Sequence, residues 1–111
     1  MNIETILNFW FKQLTPSQWW IKDAQLDHAI KEQFELIHHQ ATMGELSSWR
    51  DTAQGCLAEV ILLDQFSRNI YRNSPKSFAF DGMALVLAQE AIRRKLATQL
   101  PPEQRAFLYL P

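Results

Sequence analysis

Glycine is scarce in this chain of 111 residues, with three in all. No stretch alternates apolar and polar residues for long, so half-buried β-strands are excluded as the main element. There is one cysteine, Cys56. An internal disulfide is therefore impossible, and the chain fits the reducing cytoplasm. Apolar runs such as Val60–Leu63 fall far short of the ~20 residues that cross a bilayer, so no membrane association is expected. The opening "MNIETILNFWFKQ" carries Glu4 early and has no basic leader, which makes it a poor signal peptide. Charge is also nearly balanced, at −1. Nothing in that balance draws the chain toward nucleic acid, and no nucleic-acid partner is expected. A Walker loop, a Gly-x-Ser-x-Gly elbow and a Cys-x-x-Cys pair are all missing, and no pattern calls for a cofactor. No internal repeat of solenoid length is visible.

What remains is a chain that is 47% hydrophobic and punctuated by helix caps. Ile3, Ile6, Leu7, Trp10 and Phe11 follow the spacing of an amphipathic first helix. "TPSQ" at Thr15–Gln18 is a capping box with proline at N1, so a short helix bearing Trp19 and Trp20 follows. Asp23 caps a long helix that stops at Gly44. Its apolar arc is Leu26, Ile30, Phe34, Ile37 and Ala41; its polar side holds His28, Glu32, Glu35 and His39. Leu57–Phe66 and Met83–Leu96 carry apolar side chains nearly all round, which predicts two enclosed inner helices. Ser74-Pro75 starts another helical turn, and "LPPEQRAFLYLP" starts a helix near Pro102. The result is one all-α domain over residues 1–111, of five to six helices. Phe107–Leu110 close the chain without a cap, which reads as a C-terminal truncation. Their apolar surface is expected to drive self-association through the last helix.

Three segments, "ILNFWF", "LLDQFSRNIYRNSPKSFAFD" and "LPPEQRAFLYLP", occur in this order and resemble the bacterial family called domain of unknown function 924. The resemblance spans the whole chain. It implies stacked antiparallel helical hairpins of the tetratricopeptide-like superhelix kind, and no activity. Family members are longer, so the chain resembles their N-terminal part, without a later Met-His-Ser-Glu segment. Many members carry proline at the position of Ser67. That implies a helix break near Phe66, because the residue before proline avoids the α region.

The polar groups of "LLDQFSRNIYRNSP" are the candidate site. An unbroken helix aligns Asp64, Arg68 and Arg72 on one stripe; a break turns Arg68, Asn69 and Arg72 into a corner that faces Asp81. In the structural reading, Asp64 and Asp81 pair with Arg68 and Arg72 and brace the joint between two buried helices. In the functional reading, the two arginines, Asn69 and the helix start after Ser74 hold a phosphate or carboxylate, with Asp64 or Asp81 as an acid–base group. Arg105 can join either arrangement. The corresponding functions are a binding or scaffold module that takes a protein or peptide in a helical-hairpin groove, or a protein that binds or transforms an anionic small molecule.

Other residues are better read as architecture. Glu35-Leu-Ile-His38 matches one half of a di-iron motif, but there is a single copy and Glu35 points off the apolar arc. A solvated face is expected and no metal. Cys56 lies in the first turn of a helix, and a small buried core residue is expected there. Trp10 belongs to a buried stripe, whereas Trp20 or Trp49 is the tryptophan to seek in a pocket. Arg93-Arg94-Lys95 suits the last turn of a helix.

Overall fold

The structure is a computed structural model that describes residues 2–111. Six α-helices are present among them: α1 (residues 3–13), α2 (Pro16–Trp19), α3 (Ala24–Thr42), α4 (residues 53–70), α5 (Asp81–Arg93) and α6 (Pro102–Tyr109). Short 3-10 helices at Ser47–Asp51, Pro75–Phe78 and Ala97–Gln99 join them. The fold is all-α, and none of the described helices is long and apolar enough to cross a membrane.

Local chemistry sets the helix ends. The Thr15 amide donates to Gln18 Oε1 at 2.7 Å, as the capping box requires. Asp23 Oδ1 accepts from the amides of Gln25 and Leu26 at the start of α3. α3 ends at Gly44, whose φ of 74° permits the reversal. The Glu45 amide then reaches back to the Gln40 carbonyl at 3.0 Å, closing a Schellman motif. α5 ends in the same way with no glycine. Lys95 takes the left-handed position at φ 63°, and the Leu96 amide donates to Ala91 at 3.0 Å. Lys95 therefore lies outside the helix, and Arg93-Arg94-Lys95 does not share one helical turn.

α4 is the axis of the molecule. Every residue from Gly55 to Asp64 is buried, and α1, α3, α5 and α6 pack around it. The expectation of an enclosed helix holds here and fails for α5. That helix buries a stripe of small residues, Ala84, Ala88 and Ala91, against α4 and leaves Leu85, Val86 and Ile92 exposed. Alanines let the two backbones approach, so the larger side chains are left on the outer face. The arrangement is one wrapped helix inside a ring of four, rather than a buried pair.

Two helices contain a wide π-helical stretch, Phe9–Gln13 in α1 and Ile61–Phe66 in α4. In α1 the Leu14 amide donates to the Phe9 carbonyl at 3.1 Å, five residues back. The extra residue in the turn brings Phe9 and Leu14 inward beside Ile6 and Trp10. Phe9 then meets Phe34 edge-on at 4.8 Å and Phe66 at 6.0 Å, while Trp10 meets Phe107 at 5.8 Å. Each such side chain contributes roughly 2–3 kcal/mol through burial. Phe107 and Leu108 are thus buried by the chain's own core, which corrects the expectation that all of Phe107–Leu110 lacks cover; Tyr109 and Leu110 alone stay exposed.

Candidate functional site

α4 does not break at Phe66. Ser67 keeps helical angles (φ −58°, ψ −38°), and the helix continues to Ile70. Arg68 therefore points one turn beyond Asp64 and forms an ion pair with it at 3.7 Å. The same guanidinium donates to Asp81 Oδ1 at 2.9 Å and to the Ser77 carbonyl, and lies over the Phe78 ring at 4.4 Å. Its planar fork binds the end of α4, the Pro75–Phe78 turn and the start of α5 into one unit.

Arg72 follows the end of α4 and leaves the stripe. It makes a two-pronged bond to Asp27 of α3, with Nε to Oδ2 and Nη2 to Oδ1 both at 3.0 Å. The Asn69 amide adds a third donor to Asp27 Oδ1 at 2.9 Å. The expected pairing of Arg72 with Asp64 or Asp81 is thereby corrected, because the turn at Tyr71 swings the side chain toward α3. Asp27 is the residue that sequence reasoning missed. It lies between Leu26 and Ile30 at the margin of the apolar arc, a position where a carboxylate needs a partner from another helix. Arg105 does not join the cluster: its Nη2 donates to the Leu100 carbonyl at 3.1 Å within its own connection.

Asp27 is expected to be structural. Asp27→Ala strands Arg72 and Asn69 and should cost about 2 kcal/mol in urea unfolding. A loss below ~0.5 kcal/mol would mean that the bond to α3 contributes nothing.

Asp64 is the most buried of the three carboxylates. Burial pushes its carboxyl above the ordinary range, against the pull of Arg68 and of a 2.9 Å bond from Gln65. It forms the floor of two adjoining clefts of about 380 and 250 Å³, which share Asp64, Arg68 and Leu110. Large apolar side chains rim this region and the neighbouring cleft beside the Pro75–Phe78 turn: Trp20 (63% exposed), Ile21 (48%), Phe78 (61%), Leu85 (39%) and Leu110 (50%). Trp20 is held there by stacking on Phe107 at 5.9 Å. Of the two candidate tryptophans, Trp20 lines the cleft.

On the other side of α4, His38 corrects the solvated reading of Glu35-Leu-Ile-His38. Glu35 is exposed and faces Lys31, but His38 is buried with its Nε2 2.8 Å from Ser67 Oγ. Ser67 donates to the Leu63 carbonyl at 2.6 Å, so His38 donates through Nε2 and its Nδ1 carries no proton. The rings of Tyr71 and Phe80 meet the imidazole edge-on. This serine has its proton committed and its oxygen shut in the core, so the pair is a brace and no nucleophile. Burial, with lesser help from Lys76 and His39, lowers the His38 pKa from 6.5 to about 4. The unfolded chain takes up this proton first as pH falls. Stability should therefore decline from about pH 6.5 downward, by about 3 kcal/mol at pH 4. His38→Gln should remove that part of the slope in urea titrations at pH 7 and pH 4; an unchanged slope would show that His38 is not the group responsible. Cys56 fits its core reading, buried and with its thiol pKa raised by burial.

The family described as a bacterial protein of unknown function, DUF924, matches residues 6–111. The chain belongs to the DUF924 family. A solved structure, of a protein of unknown function from Agrobacterium tumefaciens, shares 38% identity and superposes with a TM-score of 0.93. The match covers 98% of this chain and 61% of that one, so this chain spans about three-fifths of its relative. No curated protein matches. The superposition bears out the all-helical fold, and the DUF924 description names no activity.

Proposed function

We propose that the chain is a non-catalytic binding module, and that the apolar-rimmed groove over Asp64 and Arg68 docks a helical segment of a protein partner. One observation carries this reading: Trp20, Ile21, Leu85 and Leu110, all large and exposed, line the two adjoining clefts over Asp64 and Arg68. Surface apolar groups gathered in this way mark docking sites, whereas scattered ones need no explanation. The floor argues against an anion pocket. Arg68 already meets Asp81 and Asp64, and Arg72 already meets Asp27 through both prongs. An incoming phosphate or carboxylate must displace these partners. The single cysteine, shut in the core, suits a reducing compartment, and we assign the module to the cytoplasm.

Isothermal titration separates the two readings. A synthetic amphipathic helix should bind saturably and lose its affinity at least tenfold with Leu110→Asp, while inorganic phosphate gives no heat. Saturable phosphate binding that Arg68→Ala abolishes, with no binding of the helix, would overturn the proposal. The exposed Tyr109 and Leu110 also favour a second reading, in which the same face joins two copies. Light scattering tests it: a dimer converted to monomer by Leu110→Asp is its signature.

A further inference from the structure

The cleft beside the Pro75–Phe78 turn differs in kind from the groove over Asp64. It measures about 520 Å³, within the roughly 300–1,000 Å³ typical of ligand pockets. Lys22, Arg68 and Arg72 line it with Pro75 and Phe78; no carboxylate lines it, and no residue beyond Phe78 takes part. Both arginines reach this cleft already committed within their planes. Arg72 gives Nε and Nη2 to Asp27, and Arg68 gives Nη1 to the Ser77 carbonyl and Nη2 to Asp81. A guanidinium whose edge is occupied still offers its flat faces, and those faces stack on aromatic rings. Lys22 makes no ion pair among the described residues, and an ammonium is attracted to the face of a ring. The turn already uses this chemistry twice: the Arg68 guanidinium lies 4.4 Å from the centre of the Phe78 ring, and the Lys76 ammonium 4.7 Å from that of Tyr71. Phe78 is nevertheless 61% exposed, so an aromatic wall stands open to solvent. Its base is fixed. Pro75 opens the turn, Ser74 Oγ accepts from the Lys76 amide at 3.2 Å, and Ser77 Oγ donates to the Ser74 carbonyl at 2.8 Å. A wall set in advance costs little to order on binding.

We infer that this cleft takes an aromatic side chain of a protein partner, a tryptophan or tyrosine, whose ring meets Phe78 and the cations Lys22, Arg68 and Arg72. The inference rests on the docking function proposed above and names the partner's anchor. The cleft shares Lys22, Arg68 and Arg72 with the docking groove, so one partner can span both. An aliphatic anchor would fill the space and leave the cations facing hydrocarbon, whereas an aromatic ring fills it and attracts them. Tryptophan and tyrosine are also the side chains that most often dominate the binding energy of protein interfaces.

The test titrates three capped tripeptides, Ala-Trp-Ala, Ala-Leu-Ala and Ala-Asp-Ala, into the whole chain and follows the Nε–H signals of Arg68 and Arg72 by NMR. The tryptophan peptide should shift both signals saturably and bind about fivefold more tightly than the leucine peptide. Phe78→Ala should remove most of that preference. Lys22→Met, which keeps the stem and loses the charge, should weaken the tryptophan peptide alone, by about twofold. Leu110→Asp should change nothing here, which separates this cleft from the groove. Circular dichroism checks that each variant is folded. Equal binding of the tryptophan and leucine peptides would reduce the cleft to a plain apolar wall and overturn the inference. Tightest binding of the aspartate peptide would make it an anion site and overturn the inference as well. No shift with any peptide would remove the cleft as a site, while the helix titration and its loss with Leu110→Asp would still decide the docking function.

Discussion

Arg50→Ala is expected to destabilise the protein by about 3–5 kcal/mol, more than any change at the candidate site. Glu59 projects from the middle of α4 and is wholly buried. Both of its oxygens are held by Arg50, with Nε at 2.9 Å and Nη2 at 2.8 Å. Arg50 belongs to the Ser47–Asp51 turn, so this pair fastens the loop after α3 to the central helix. Removing the cation leaves a buried carboxylate without the fork that holds both of its oxygens, with Arg94 the other cation lining the same cleft. Urea unfolding at pH 7 measures the loss. A companion Arg50→Met, Glu59→Leu variant should recover most of it, because an apolar pair of similar volume avoids the desolvation altogether. A single-variant loss below ~1 kcal/mol would show that the pair is solvated in solution.

Gly55→Ala should be at least as damaging, for a reason unrelated to backbone freedom. A Cβ at Gly55 would lie 1.8 Å from the Trp49 carbonyl oxygen and 2.7 Å from its carbonyl carbon. These are main-chain atoms and have no rotamer to yield. The Ser47–Asp51 turn must move off α4 as a body, which puts the cost above the ~3 kcal/mol typical of an overpacked core. A drop of less than ~1 kcal/mol would show that the turn shifts freely. The displacement also pulls Arg50 away from Glu59. Gly55→Ala and Arg50→Ala therefore break one junction, and the double variant should cost clearly less than their sum.

Much of this fold was legible wherever a local rule decides the outcome. The Thr15–Gln18 box, the Asp23 cap and the Gly44 terminator depend on neighbours in sequence, and each lies where those neighbours put it. The all-helical class followed from period and punctuation alone. What stayed hidden was set by other helices. Lys95 terminates α5 in a conformation that its side chain disfavours, because Ala91 and Leu96 close the motif regardless. Met83–Leu96 looked enclosed because its hydrophobicity shows on all sides, yet its alanine stripe faces α4. At the site, Asp64, Arg68 and Asp81 were brought together as expected. Arg72 found Asp27, 45 residues away in sequence, which no periodicity could announce. An apolar arc centred on Ile30 and Ile37 leaves His38 on its margin, beside the solvated side. Shifting it by one residue places Asp27, Phe34 and His38 on the buried flank, where a carboxylate and an imidazole each demand a partner from α4.

The wide stretch at Ile61–Phe66 carries a further consequence. It acts as a phase shifter, advancing the helix by one residue before Ser67, Arg68 and Asn69 are presented. Were the stretch to tighten to ordinary pitch with every residue retained, everything downstream would turn by roughly 100° about the axis. Ser67 would then face away from the imidazole of His38, and Arg68 away from Asp81, although no contacting side chain had been altered. A chain that lacks one residue in that segment would keep both the helix and the joint, because ordinary pitch over one residue fewer presents Ser67 and Arg68 in the same direction.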